Sequence, residues 1–440
     1  MTFKKIVLLS CLCFSGLMFG MTYDNRFFPL LDKPTLHQDD ENFFARVQPF
    51  YMFASQSYNA EGSDRPLFDV FGHYDQNQMN KALQDSGLAT SSLMPSFMPK
   101  NALVPWSMVG KMDAAGLAFR WYYSLTNFMD IGGSFFFAGS RSRQQCLFDE
   151  SNFKFLLPNG TYYTLNLQQV QQLYDAQDEM LKLDSVNGLL KDSFGISDLD
   201  FYVRFGFMRH FFLKFRTFDL GTKIGVIAPT ASGFDLDAPS SLIFGGNKHW
   251  GMYFDASLDT ELKEDLFAGL NMRFIQRFAR TDEIRAPLLH IPNNLGILQQ
   301  NDGIGKGWQA RVTPGFTFVF SPYGGVANLR DGFGLQVGYT LILHTSDTFR
   351  INADAHTNYP DKNWAYPETD ASVLKTLSER SKWGSEYITC SAIYDFAKDK
   401  ECRGATPCVK LDIDIPISVV VAQQSFKTYG ISLRIESDLW

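Results

Sequence analysis

The sequence predicts an all-β fold: a transmembrane antiparallel up-and-down β-barrel of about twelve strands, with long extracellular loops containing short helices. Three observations predict it. Polar and apolar side chains alternate in short stretches along the whole chain, so each stretch can set one face against hydrocarbon and the other against an interior. No apolar run of about eighteen residues, the length a spanning helix needs, follows the N-terminal leader. Yet 45% of the 440 residues are hydrophobic, 15% are aromatic and 41 are Phe, and dispersing that content into alternating pieces is what a barrel does. The connections also alternate between short and long, which periodicity alone does not impose.

The chain begins with Lys4 and Lys5, followed by an uncharged run from Ile6 to Phe19 and the small residue Gly20. Residues 1–20 therefore read as a cleaved secretory signal peptide, too short for a spanning helix. Leu8-Leu9-Ser10-Cys11 has the outline of a lipidation site, but the apolar stretch before it is short, and cleavage after Gly20 is the preferred reading. Residues 21–43 then read as a periplasmic N-terminal segment and 44–440 as the barrel.

Strand-like stretches fall first at 44–56, 114–125 and 128–140. Leu199, Phe201, Val203, Phe205 and Phe207 alternate with Asp198, Asp200, Tyr202, Arg204 and Gly206, and 212–228 follows. Trp250, Met252, Phe254, Ala256 and Leu258 alternate with Tyr253, Asp255, Ser257 and Asp259, before a stretch at 265–280. Trp308, Ala310, Val312, Phe316, Phe318 and Phe320 form one set against Gln309, Arg311, Thr313 and Thr317. Phe333, Leu335, Val337, Tyr339, Leu341 and Leu343 follow, then 385–397. Leu411, Ile413, Ile415, Ile417 and Val419 oppose Lys410, Asp412, Asp414 and Ser418. Finally, Ile431, Leu433 and Ile435 oppose Ser432, Arg434 and Glu436, and the chain ends on Trp440. Trp440 has the parity of Arg434, so a bulge near Ser437-Asp438 is expected to turn it outward.

Short connections fall near 125–127, 209–211 and 261–264, and somewhat longer ones at 321–331 and 398–407. Long ones fall at 57–113, 141–197, 229–248, 281–306 and 346–384. Barrels put short turns on the periplasmic rim and long loops outside. Two long loops carry helical signals: Gln76–Asp85 behind a cap at Asp75, and Leu167–Leu183 with apolar positions at Val170, Leu173, Tyr174 and Leu181. One such loop is expected to fold inward and narrow the interior. Trp121, Tyr122, Tyr123, Trp250, Trp308, Tyr387, Tyr394 and Trp440 gather towards strand ends, where amphipathic rings suit an interface.

A formal net charge of -7, with no polybasic run, argues against nucleic acid as a partner. The seven His residues are scattered without metal-ligand spacing, so no metal or cofactor is expected. Gly303, Gly305 and Gly307 with Lys306 lead into a strand and not a helix, so they do not make a phosphate loop. No nucleophile elbow occurs in the mature chain, and no catalytic residue is assigned. Cys402 and Cys408 bracket a turn-like segment and form the nearest pair for a disulfide in an oxidising compartment.

Together, the exported start, alternating strands, paired short and long connections and terminal aromatic resemble Gram-negative outer-membrane β-barrel proteins of the porin type. Gly225-Val-Ile-Ala-Pro-Thr-Ala-Ser-Gly233 is similar to a Pro-Thr-Gly rim found in several outer-membrane transport families. The resemblance implies an outer-membrane location, contact with outer-membrane lipid, assembly by barrel-insertion machinery, and diffusion of small hydrophilic solutes or ions. Inward parity gathers Arg120, Asp130, Arg204, Asp255, Asp259, Arg273, Arg277, Arg311, Lys410, Asp412, Asp414, Arg434 and Glu436. A dry core holds so many charges only at a cost, so a water-filled lumen is expected. In that lumen Arg273, Arg277 and Arg311 form a basic stripe across from Asp412 and Asp414, with Arg204 and Arg434 as further selectivity candidates. The structural alternative is that these charges pair with neighbours and knit the wall. Two other functional classes stay open. One is a surface anchor or adhesin whose loops bind. The other is a barrel-borne lipid hydrolase, for which His344 and His210 are the available histidines.

Overall fold

A strand immersed in hydrocarbon must satisfy its backbone on both edges, which forces an all-strand wall to close on itself. The computed structural model describes residues 26–28, 31, 43–67, 74–85, 89–98, 104–148, 154–156, 162–183, 190–210, 217–233, 235, 241–263, 265–284, 308–351, 371–396 and 407–438. Twelve antiparallel strands close the wall. They are β1 (Phe43–Ala54), β2 (Pro105–Thr126), β3 (Met129–Phe148), β4 (Leu199–His210), β5 (Thr217–Ala228), β6 (Gly251–Lys263), β7 (Leu266–Arg277), β8 (Phe316–Arg330), β9 (Phe333–His344), β10 (Trp383–Asp395), β11 (Cys408–Ile417) and β12 (Tyr429–Asp438). Each pairs with its sequence neighbour, and β1 closes on β12 from Phe44↔Asp438 to Phe53↔Tyr429. That register runs without a shift through Asp438, so the described part of β12 lacks the expected bulge; Trp440 lies outside the described residues.

The two faces separate as the alternation requires. Phe205, Ile224, Phe254, Val337, Ile413 and Ile431 are exposed on the outside, while Arg204, Asp255, Asp412 and Arg434 between them are buried inside. Tyr51, Phe53 and Tyr429 stack on the outer surface towards the long loops, and Tyr394 packs on Phe396 at the other rim. These rings bracket the apolar belt.

One strand departs from the sequence reading. Residues 308–320 break at Pro314-Gly315. Trp308–Thr313 belongs to a separate three-stranded sheet with Arg280–Ile284 and Thr348–Ile351, and the wall strand starts at Phe316. Proline lacks the N–H a ladder needs. The chain is turned there by side chains: Gly315 N donates to Asp347 Oδ1 at 2.7 Å and Phe316 N to Thr345 Oγ1 at 2.7 Å. A Cβ on Gly315 would meet the Thr345 carbonyl at 2.1 Å, so only glycine fits. Consequently 321–331 is mostly strand, and the connection shrinks to Asp331-Gly332, both at positive φ. The proposed Cys402–Cys408 pairing involves Cys402, which lies outside the described residues.

Strands β2 and β3, 22 and 20 residues long, run well past the wall as a paired hairpin. Their inner face there presents Trp106, Met108, Cys146 and Phe148 to helices α1 (Gln76–Asp85) and α2 (Leu167–Leu183), forming a core with Leu83, Leu173 and Met180. Both helices have the expected bounds, and each is capped. Gln78 N donates to Asp75 Oδ1 (3.0 Å), while Asn166 and Gln169 cap each other reciprocally at 2.9 and 3.0 Å. Helix α3 (Ala371–Ser381) lies within the long connection 346–384. The helices of the two long loops therefore pack on this hairpin, and neither enters the barrel as the expected constriction.

Asp75 also accepts Val104 N through its second oxygen at 3.1 Å, tying α1 to the start of β2. Asp75→Ala should accelerate amide exchange in 76–85 roughly tenfold, the worth of one cap, while the exchange of β4 to β12 stays unchanged. Hydrogen–deuterium exchange of the detergent-solubilised protein reads this directly.

Candidate functional site

The barrel interior divides into a charged half towards the short connections and an apolar half towards the long ones. In the charged half, Arg204 of β4 reaches Asp130 of β3 at 3.1 Å and Asp219 of β5 at 2.5 Å. Gly206 and Gly221 face each other across this pair, and a Cβ on either would press into the Arg204 guanidinium, at 2.4 and 2.9 Å. Glycine thus makes the trough in which the arginine lies. Arg273 grips Asp255 with two bonds of 2.5 Å and lies over the Tyr253 ring, 4.4 Å from its centroid. Tyr323 donates to Asp259. Across the barrel, Arg434 forks onto Asp412 at 2.5 and 2.8 Å, and Arg46 Nε lies 2.8 Å from the Glu436 carboxylate as an ion pair. Asp412 also accepts Ser391 Oγ (2.5 Å), Asp414 accepts Thr389 Oγ1 (2.7 Å), and Lys410 donates to Gln336 (2.5 Å).

These charges do not line open water. Arg204, Arg273, Arg277, Asp412, Asp414 and Arg434 are all no more than 8% exposed. The expectation of a water-filled lumen is therefore corrected for this state: Arg204, Arg273 and Arg434 meet carboxylates on neighbouring strands, because strands about 4.8 Å apart bring opposite charges into contact. Arg277 stands nearer the outer rim, 2.8 Å from Asp198, and donates to the His249 carbonyl at 2.7 Å. Arg311 is not in the lumen. It is exposed on the separate outer sheet, because the break at Pro314-Gly315 removes it from the wall, and the basic stripe reduces to Arg273 and Arg277.

The apolar half is filled from within the chain. Phe27 and Phe28, at 0% and 2% exposure, sit with Leu31 among Phe50, Met52, Met112, Ala114, Ala118, Phe136, Ala138, Leu242 and Phe244. The Phe28 ring lies 5.1 Å from Phe136, 6.0 Å from Phe244 and 6.4 Å from Phe50. Alanines at 114, 118 and 138 leave the room these rings occupy. Arg26 Nη2 donates to the Arg380 carbonyl (2.5 Å), and Phe426 N donates to the Arg26 carbonyl (3.4 Å), fastening the segment near the outer rim. The segment expected on the periplasmic side thus lies, in its described part, inside the barrel. Burial of two adjacent phenylalanines is the physical reason. The available signal was the apolar pentad Phe27-Phe28-Pro29-Leu30-Leu31 in an otherwise polar stretch.

Sequence parity also missed Arg46 and Asp219, both inward and ion-paired. His344 points inward as its parity requires. Its Nδ1 contacts Thr317 Oγ1 (2.8 Å), its Nε2 contacts Asp347 (2.9 Å), and its ring stacks on Trp383. That site is on the inner face, whereas a lipid hydrolase would need it on the outer wall. His210 ends β4, and its side chain is outside the described residues.

A closed cylinder, apolar outside and ion-paired inside, with long loops at one rim and short turns at the other, is a transmembrane β-barrel of the outer-membrane type. No family model and no curated protein matches the chain. Among solved structures it is similar to an outer membrane channel from Pseudomonas putida F1, at 12% identity and a TM-score of 0.47, over 93% of this chain and 99% of that one. A FadL homologue from Pseudomonas aeruginosa gives 10% identity and a TM-score of 0.30, over 91% of each chain. The transport unit of the autotransporter AIDA-I from Escherichia coli gives 7% and 0.32, over 92% and 93%.

If the charged half is a sealed network, Arg434→Met alone should destabilise the barrel by about 3–5 kcal/mol, since it strands Asp412 without its partner. Asp412→Leu with Arg434→Met should recover most of that loss. Unfolding in urea from detergent micelles, followed by tryptophan fluorescence, distinguishes the two variants.

Proposed function

We propose that the protein is an outer-membrane channel whose resting state is closed, and that small solutes pass when the N-terminal segment leaves the barrel. The single observation that carries this reading is the burial of Phe27 and Phe28 inside a wall to which they do not belong. Wall strands are held by ladders of backbone bonds. The described part of this segment is held by ring packing and by the bonds of Arg26, so it can be withdrawn without opening the cylinder. The order of linings supports a solute of mixed character. From outside, a solute meets the aromatic chamber first and the ion-paired half second, which favours a small molecule with an apolar portion as well as a polar group. Purely hydrophilic diffusion needs only the second half. Arg273, Arg277, Asp412 and Asp414 remain the residues we assign to selectivity once the path is wet.

In planar bilayers the wild type should show little steady conductance. Phe27→Asp with Phe28→Asp should produce sustained steps, because two carboxylates cannot stay in the aromatic chamber, while Phe27→Leu with Phe28→Leu should remain closed. A charged pair of substitutions that leaves the bilayer as silent as the wild type would remove the segment from gating. In the opened background, Arg277→Gln should move the reversal potential towards cations, with Asp198 still held by Ala231 N and Gly246 N. Arg311→Gln, on the outer sheet, should leave it unchanged.

A further inference from the structure

The extended β2–β3 hairpin carries a second feature on its outer surface, away from the lumen. Lys111 and Arg143 stand directly opposite each other across the ladder, both exposed, with the buried Met112 and Ser142 facing the other way. Like charges in cross-strand register destabilise a sheet unless something neutralises them. One register step towards the barrel, Arg141 faces Asp113 across the ladder and Asp192 on its other side, which it contacts at 3.4 Å, so that row holds one cation between two carboxylates. Among the described residues neither Lys111 nor Arg143 has an ion-pair partner. The two cations therefore stand together at the top of this face without an ion-pair contact.

Directly below them the surface turns apolar. Ala115, Gly139 and Phe194 form the next row, and Leu117, Phe137 and Ile196 the row after that. Phe194 is 79% exposed and Phe137 37%. Phe119 and Phe135, stacked at 4.7 Å, continue the same stripe down the wall. Its upper end therefore presents a pair of cations separated from exposed aromatics by the single row of Asp113, Arg141 and Asp192. An amphiphile whose anionic head sits above its acyl chains has the same order of chemistry.

We propose that this face binds a phosphorylated lipid of the outer leaflet, with its phosphate bridging Lys111 and Arg143 and its acyl chains lying over Phe194 and Phe137. Ammonium and guanidinium donors both suit phosphate oxygens, and a shared anion turns the cross-strand repulsion into attraction. The proposal rests on the outer belt being in a membrane. It does not depend on the N-terminal segment or on conduction.

The test titrates diphosphoryl lipid A onto the full-length protein in detergent micelles and counts bound lipid by native mass spectrometry. Lys111→Gln with Arg143→Gln should weaken binding about twenty-five-fold, at roughly fivefold for each cation. Phe194→Ser should weaken it as well, whereas Arg330→Gln, an exposed cation at the opposite rim, should not. Undiminished binding in the double variant would overturn the proposal. So would equal binding of phosphatidylcholine, or displacement by inorganic phosphate at matched concentration, which would mark a simple anion site. Heat-modifiable mobility of each variant reports separately on whether the barrel is formed, and the substituted side chains are all on the surface.

Discussion

The architecture depends on the mutual neutralisation of charges on the inside of the wall. Carboxylates and guanidiniums buried there have no water to solvate them, and an unpaired member is far more expensive than a paired one. The pairs join adjacent strands: β3 to β4 to β5 through Arg204, β6 to β7 through Arg273, and β11 to β12 to β1 through Arg434, Glu436 and Arg46. A slip of one residue in any of these strands would carry its charges to the hydrocarbon face and its phenylalanines or isoleucines inside. Charge pairing and apolar exposure therefore select the same register from opposite sides. The closure of β1 on β12 follows from both, because Arg46 meets Glu436 directly across that seam.

The apolar half of the interior obeys a different rule. There the wall supplies small side chains, Ala114, Ala118 and Ala138, alongside a few large rings, so a cylinder wide enough for twelve strands would be left under-filled. A void lined by apolar atoms forfeits dispersion contacts on every side. Phe27 and Phe28 restore them. The wall and the described part of the segment are thus complementary in volume, and Arg26 ties that part to the outer rim.

Much of the wall was legible in the sequence because a strand between oil and interior has a period of two that no other element imitates. Both loop helices were legible, the first from its cap at Asp75 and the second from its apolar spacing. What failed was local or non-local in identifiable ways. Residues 308–313 alternate as well as any wall strand, and only the Pro314-Gly315 break, with side-chain hooks from Thr345 and Asp347, assigns them elsewhere. That misplacement carried Arg311 into the lumen on paper. The inward charges were found by parity, but whether they face water or one another depends on partners distant in sequence, such as Arg434 with Asp412 and Arg277 with Asp198. The N-terminal segment has no periodicity to read, and its place is set by a cavity that exists only once the barrel is closed.

Ser197-Asp198 shows how one wall accommodates both a closed cylinder and a hairpin that outgrows it. Between the pairs Ile196↔Phe137 and Asp200↔Ser134 one side advances four residues while the other advances three, so a single extra residue is absorbed as a bulge. The ladder is not broken by it. Ser197 N donates to the Phe136 carbonyl at 2.9 Å, and Ser197 Oγ receives Phe136 N at 3.0 Å, a side chain standing in for backbone. Above the bulge, residues 190–196 follow β3 outward along the hairpin; below it, β4 joins the barrel. The displaced Asp198 carboxylate, fully buried, then gathers Arg277 from β7 and the backbone amides of Ala231 and Gly246 from the β5–β6 loop. Segments that leave the cylinder in different directions are thereby tied to one anion at its outer edge, where the charged register of the wall gives way to the packed loops above.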